Sequence, residues 1–358
     1  MTMRIAIIGG GPGGLTLART LHVLGLESTV YERDPSRDAR GQGGMLDLHT
    51  DTGQRALRVA GLEDQFLVHA RREGQDFRLL DETGTLLLRV DTPDDAPLAR
   101  PEIDRSDLRD LLLDSLPDGT VQWGKALTTA GDELLFHDGT AAGYDVLVGA
   151  DGARSRVRPL LTDAEPVPVG VEHVELGIPD VDRTHPHLAA VLGRGNYWAL
   201  GPGQGLGAQV NGSGRVRVYL SFYEGHDVPP LTKDALARAF DGWGPDAQDL
   251  IRACDDEIVR RTITMLPPGL TWTPNPRVTL IGDAAHLCPP SGEGANQAML
   301  DASELAQALA AQPGRPDEAI RAYEASMYPR STAVTEESLR IRDMLRAGAQ
   351  ETLRFFAR

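Results

Sequence analysis

The chain has 358 residues with 36 basic and 52 acidic side chains, a formal net charge of −16 with histidine neutral. That length buries a sizeable core in one large domain or two ordinary ones, and that charge repels nucleic-acid backbones and anionic lipid surfaces, so neither is an expected partner. The two cysteines, Cys254 and Cys288, form no CxxC pair, which leaves no basis for a disulfide framework or a thiolate metal cluster. No apolar run approaches the roughly 18 to 20 residues of a membrane helix, and the apolar start at Ile5 to Ile8 runs into glycines rather than a leader's cleavage site. A monomeric, cytoplasmic protein is expected.

Arg4 to Ile8 is a β-branched run that stops at Gly9-Gly-Gly-Pro-Gly-Gly14, after which Leu15 to Leu24 carries helical spacing. Gly25 ends that helix, and Ser28 to Tyr31 reads as a second strand with Glu32 at its carboxyl end. A helix over Thr52 to Ala60 follows, then a hairpin of Phe77 to Leu80 and Leu86 to Val90. Arg105 to Leu116 returns to helix, and Tyr144 to Gly149 is a buried-strand run. From Val167 to Thr273 strands dominate, among them Tyr197 to Leu200, Gly207 to Val210 and Arg215 to Phe222, with helical patches at Lys233 to Asp241 and Asp246 to Ala253. Arg277 to Ile281 is one more buried strand, and helix fills the remainder from Gly294, with Pro329 as an expected kink or break.

The expected fold class is α/β: a Rossmann-like dinucleotide-binding domain (residues 1–70, 100–166 and 274–312), an inserted sheet-rich substrate domain (71–99 and 167–273) and a C-terminal helical segment (313–358). Gly9-x-Gly11-x-x-Gly14 follows a strand and opens a helix, with Glu32 about twenty residues on. Absent Cβ atoms tighten the turn and admit a pyrophosphate to backbone N–H groups at the helix N-terminus, while Glu32 holds ribose hydroxyls. This fingerprint by itself does not separate NAD from FAD.

Two further segments do. Asp145-Val-Leu-Val-Gly-Ala-Asp151-Gly152-Ala-Arg-Ser-Arg156 resembles the Asp-Gly motif of the flavoprotein hydroxylases related to para-hydroxybenzoate hydroxylase. Ile281-Gly282-Asp283-Ala-Ala-His286-Leu-Cys-Pro289-Pro290-Ser-Gly292-Glu-Gly294-Ala-Asn296 is similar to that family's second FAD motif and its flavin-contacting loop. The runs Val30 to Asp34, Gly43 to His49 and Glu102 to Arg109 extend the resemblance to the tetracycline-inactivating flavin monooxygenases. The resemblance implies that Glu32 and Arg33 meet the adenosine end of FAD, that Asp47, Arg105, Asp151, Gly282 and Asp283 contact the cofactor, and that Arg40 touches NADPH. It also implies that Pro290, Gly292, Gly294 and Asn296 carry the loop against the flavin. Arg105 and Arg109 lie four apart on one helix face, so one can fork to a phosphate while the other braces the sheet. Cys288 and His286 are expected as packed residues rather than redox or acid-base groups.

The implied reaction is NADPH reduction of FAD, addition of O2 at flavin C4a and oxygen transfer to an electron-rich aromatic or polyketide small molecule. That scheme requires no protein acid or base, so no catalytic residue is assigned. In Arg215 to Phe222 the alternation sets Arg215, Arg217, Tyr219 and Ser221 on one face. Substrate contacts are expected from Gln209, Arg217, Tyr219 and Tyr197. Arg217 and Tyr219 stand where the tetracycline enzymes carry His and Gly, which favours an acid or phenolate over a rigid four-ring substrate. A halogenase is disfavoured by the isolated tryptophans, and a disulfide reductase by the missing CxxxxC pair. A reductase of the same fold, or a flavoprotein that only sequesters a small molecule, remains an alternative.

Overall fold

The computed structural model describes residues 3–39 and 43–356. Its first strand, β1 (Ile5–Ile8), is buried throughout and ends at the glycine fingerprint, and the helix Pro12–Val23 starts immediately after Gly11 with proline in its first turn. β2 (Ser28–Tyr31) pairs parallel with β1, completing a right-ordered βαβ unit. A ribbon of β3 (Met45–Asp47) and β6 (Glu102–Asp104) brackets a hairpin, β4 (Phe77–Asp81) and β5 (Leu86–Val90). The helix Arg105–Asp114 leads to β7 (Val121–Gln122). A small antiparallel sheet of β8 (Leu127–Ala130), β9 (Glu133–Phe136) and β10 (Ala141–Gly143), which the sequence reading left unassigned, precedes β11 (Val146–Gly149).

The second half begins with β12 (Val167–Ile178), then β13 (Asn196–Gly201), β14 (Gln204–Val210), β15 (Val216–Tyr223) and β16 (Val259–Met265). β17 (Val278–Leu280) returns to the first sheet. Among the described residues the parallel sheet has the order β17-β11-β1-β2-β7, and the large mixed sheet the order β16-β12-β15-β14-β13-β4-β5. The hairpin β4-β5 therefore joins the mixed sheet through a parallel contact between β4 and β13.

Each sheet has its own core. Ile5, Ile7, Val146, Val148 and Leu280 pack with the helices Gly294–Ala311 and Pro316–Ala347 on the parallel sheet. On the mixed sheet, Val174, Leu176, Tyr197, Leu206, Val218 and Leu220 pack beneath the helices Lys233–Ala239 and Pro245–Ala253. Burying such side chains contributes roughly 1.5 to 3 kcal/mol each, which holds that face of the sheet against its helices and leaves the other face toward the first domain. The helix Pro316–Ala347 runs unbroken through Pro329, contrary to the expected break. Tyr323 and Met327 before the proline and Ser331 and Thr335 after it are all buried, so packing on both sides carries the helix across one lost hydrogen bond. The chain turns instead at Gly348, whose φ of 96° suits glycine, before the helix Ala349–Phe356. No helix among the described residues is long and apolar enough to cross a membrane.

Candidate functional site

Parallel α/β sheets bind ligands at the carboxyl ends of their strands, and there the three motifs converge. A Cβ at Gly9 would lie 2.3 Å from the carbonyl of Ala150, and one at Gly14 only 2.0 Å from the carbonyl of Gly9, so these glycines close the turn onto β11. Cβ atoms at Gly13 and Gly282 would both strike Ala298, at 3.2 and 2.7 Å, which draws the fingerprint helix and the Gly282-Asp283 turn onto the helix Gly294–Ala311. Nothing lies within 4 Å of a Cβ at Gly11 or Gly152; these two face open space. A recess of about 540 Å³ with Arg4, His22 and Asp118 on its walls lies at the amino end of β1, the opposite end of the sheet.

Glu32 is buried, and its carboxylate accepts from the backbone N–H groups of Gly10 (2.6 Å) and Asp34 (2.9 Å). These bonds fix the carboxylate beside the fingerprint turn with lone pairs to spare. Arg33, next to it, is exposed. Asp151 accepts from the N–H of Arg156 at 2.6 Å, while its other oxygen is buried without a partner. Arg158, which the sequence reading passed over, is the staple between motifs: it donates to the carbonyls of Ala284 (2.8 Å) and Ala153 (2.9 Å).

Asp283 is exposed to the cleft, yet surrounding protein raises its carboxyl pKa against the pull of His286, Arg105 and Arg158. A Cβ at Gly294 would lie 3.9 Å from its Oδ1. Arg105 is exposed and makes no ion pair among the described residues, whereas Arg109 is buried. Arg109 donates to the carbonyl of Arg37, lies 3.7 Å from Asp34 and stacks over Trp123 at 5.4 Å. The bracing role thus falls to Arg109. His286 is held by Asp301 at 2.6 Å, and Arg330 meets the other Asp301 oxygen at 2.6 Å. Burial opposes the charge on His286, but the Asp301 carboxylate outweighs it and raises the pKa.

The Pro289 to Asn296 segment is tied to β3 from below. His49 lies between Asp47 (2.8 Å) and Glu293 (3.1 Å); burial lowers its pKa, but the two carboxylates prevail and raise it to about 9. Asn296 was expected at the flavin, but its side chain has no exposed area. Its Nδ2 donates to the carbonyls of Asp47 and Gly292, and its Oδ1 accepts from the N–H groups of His49 and Gly53 and from the Thr52 hydroxyl. All of its hydrogen-bonding capacity serves the loop. Pro290, Gly292 and Gly294 are exposed above it.

On the mixed sheet the face opposite the helices looks toward this cleft. In register, Arg217 lies beside Gln209 and Gln209 beside Asn196; the next row on the same face runs Glu175, Tyr219, Gly207, Trp198. A Cβ at Gly44 would lie 3.0 Å from both Gln209 Oε1 and the Tyr219 hydroxyl and 3.6 Å from Arg217 Cγ. Since the carbonyl of Gly44 accepts from the N–H of Arg105, this wall meets the FAD-motif residues directly. Arg217 makes no hydrogen bond or ion pair among the described residues, and its Nε is buried without a partner. Tyr197, expected at the substrate, is instead only 1% exposed and lies in the core under the helices. One residue of phase separates it from the wall, where Asn196 and Trp198 stand. Arg40 lies outside the described residues.

The FAD binding domain family model matches residues 2–109 and 270–338. The chain belongs to this family, the flavin monooxygenases related to para-hydroxybenzoate hydroxylase. It is 32% identical to monooxygenase asqM of Emericella nidulans, over 86% of this chain and 83% of that protein. It is 30% identical to 3-amino-4-hydroxybenzoate 2-monooxygenase of Streptomyces cremeus, over 95% of this chain and 86% of that one. The fold is shared with the tetracycline destructase Tet(51), at a TM-score of 0.71 and 19% identity over 95% of this chain and 90% of that chain. As a member of this family the protein is an FAD-dependent oxidoreductase of the monooxygenase type, and the open cradle at Gly11 and Gly152, the buried acceptor Oδ1 of Asp151 and the guanidinium of Arg105, without an ion pair among the described residues, fit FAD.

Proposed function

We propose that the protein is an NADPH-using hydroxylase of an aromatic acid or phenolate. Arg217 is the observation that carries this reading: a guanidinium with a buried, unbonded Nε on the wall next to Gly44 is unfavourable until an anion meets it. The Streptomyces relative, named for an aminohydroxybenzoate, agrees with that chemistry. A fused four-ring substrate is disfavoured, because Tyr219 fills the space beside Gly207.

FAD, when bound, supplies the chemistry: it takes a hydride from the nicotinamide and activates O2, so that one oxygen atom enters the substrate and the other leaves as water. In this reading Glu32 and Arg33 hold the adenosine end, Arg105 faces the pyrophosphate, and Asp47, Asp151 and Asp283 accept hydroxyl or ring hydrogens. Backbone N–H groups at the start of the helix Gly294–Ala311 face developing negative charge on the ring system. Arg217 anchors the substrate anion, and Gly207, where a Cβ would meet nothing closer than 3.8 Å, leaves a flat floor that lets a ring lie close to the sheet. Trp198 bounds the pocket and excludes water.

NADPH oxidation is measured with purified yellow protein against benzoates, hydroxybenzoates, their amides and tetracyclines. The expected result is acid-stimulated oxidation and a product heavier by about 16 Da, as for oxygen insertion. Arg217→Met raises KM for acids at least tenfold and leaves FAD content unchanged. Stimulated oxidation without added mass identifies a reductase, and flavin that NADPH cannot reduce identifies a sequestering protein.

A further inference from the structure

The wall carries a hydrogen-bond polarity as well as a charge, and that polarity is set from within the protein. Asn196 Nδ2 donates to Glu102 Oε1 at 3.2 Å and to the carbonyl of Gly74 at 3.3 Å. A carbonyl can only accept, so the Gly74 contact fixes which end of the amide is nitrogen. The Asn196 oxygen then faces Gln209 and accepts from its Nε2 at 3.2 Å. With its nitrogen turned inward, Gln209 presents Oε1 outward, and that oxygen takes no hydrogen bond among the described residues. It stands beside the Tyr219 hydroxyl over Gly44, one strand from Arg217.

The start of this chain is well defined. Glu102 is 5% exposed, on β6 directly opposite Asp47, and its Oε2 is buried without a partner. Burial first, and the Asp47 and Asp104 carboxylates with it, raise its pKa to about 8 against the Asn196 bond and Arg71. A carboxyl protonated on Oε2 still offers Oε1 to Asn196, so the amide order holds at neutral pH.

We infer that Glu102 and Asn196 are positioning residues that fix Gln209 as an outward hydrogen-bond acceptor, so that the substrate bears an N–H or O–H donor beside the anionic group held by Arg217. This rests on the acid-substrate reading above. A donor-lacking analogue leaves Oε1 desolvated and unpaired, the situation in which sites discriminate most strongly.

The test uses FAD-loaded protein and two probe pairs, 3-aminobenzoate with 3-methylbenzoate and 4-aminobenzoate with 4-methylbenzoate, with binding read from perturbation of the flavin absorption spectrum. In wild type the amino member of at least one pair binds tenfold or more tighter than its methyl counterpart. Gln209→Leu binds both members of that pair equally, Asn196→Leu reduces the preference to threefold or less, and Glu102→Gln, which can still offer an oxygen to Asn196, retains it, whereas Glu102→Leu, which cannot, reduces it; a preference unchanged in Glu102→Leu removes Glu102 from the positioning pair. Because the comparison is made within each variant, a general loss of affinity does not mimic the result. Equal binding within both pairs by wild type overturns the inference while leaving the acid reading intact, as does a preference that survives in Gln209→Leu. If no benzoate binds, the acid reading fails and the inference falls with it.

Discussion

At the scale of single residues, the fingerprint glycines have separable duties. Gly14 is required by the protein itself, since a Cβ there would lie 2.0 Å from a carbonyl oxygen, whereas Gly11 has nothing within 4 Å. Gly11→Val is therefore expected to leave the melting temperature of the apoprotein within about a degree of wild type while weakening FAD binding more than tenfold, measured by quenching of flavin fluorescence. Unchanged FAD affinity in that variant would falsify the placement of the pyrophosphate. Glu102 yields a second prediction. Its folded pKa of about 8 lies above the ordinary glutamate value of 4.5, so the native state binds the proton more tightly than the unfolded chain. The Glu102 contribution is complete below pH 4.5, declines as pH rises toward 8 and changes little beyond. His49, held near 9 from 6.5, adds a decline of the same sign between those values. In urea denaturation at pH 5.5 and 8.5, wild type loses on the order of a few kcal/mol, and Glu102→Gln removes the larger part of that loss. An equal pH dependence in the variant would show that Glu102 is ionised at neutral pH.

At the scale of elements, the loop before the helix Gly294–Ala311 is rigid because buried side chains hold it, more than because of its two prolines. Asn296 links it to β3 and to the turn at Thr52 and Gly53, beside the Glu293–His49–Asp47 contacts. Asn296→Ala strands several buried donors and acceptors, so a loss of roughly 2 to 4 kcal/mol in urea denaturation is expected, together with weaker FAD binding. A cost under about 0.5 kcal/mol would mean that the loop holds its shape without this amide. The glycine motifs were legible in sequence because local sterics dictate them. The double role of Asn296 was not, since its partners lie some 240 residues away in the chain. β12 escaped the pattern reading for a local reason: Pro168 and Gly170 interrupt its start, where the register with β16 shifts. Tyr197 shows how severe a one-residue slip is in a strand, because it exchanged a core side chain for a wall position.

At the scale of the whole molecule, backbone bonds such as Gly203 to Arg346 and Leu266 to Leu287 join the mixed-sheet half to the parallel-sheet half, and side chains complete the junction at the wall. Arg105, Gly44 and the ribbon of β3 and β6 reach the wall of the mixed sheet, and the Glu102-Asn196-Gln209 chain crosses the same boundary. No residue pattern in the sequence announces that chain, for Glu102 on β6 lies 94 residues from Asn196, which faces Gln209 across the paired strands β13 and β14. Gly44 is the point at which the separation of tasks can be tested. Its φ is not in the left-handed region, so alanine is compatible with the backbone, and the atoms a Cβ would press at 3.0 Å are the free ends of Gln209 and Tyr219. Those side chains can move by tenths of an ångström without disturbing the FAD motifs, but they cannot do so and keep the wall's hydrogen-bond geometry. Gly44→Ala is accordingly expected to bind FAD with wild-type affinity and to bind aromatic acids about tenfold more weakly, roughly the 1.4 kcal/mol of one good hydrogen bond. Flavin fluorescence quenching and acid-induced change in flavin absorbance measure the two separately. If FAD affinity falls as far as acid affinity, Gly44 belongs to the cofactor cradle, and the boundary between the two binding surfaces lies deeper in the mixed sheet, at Gly207.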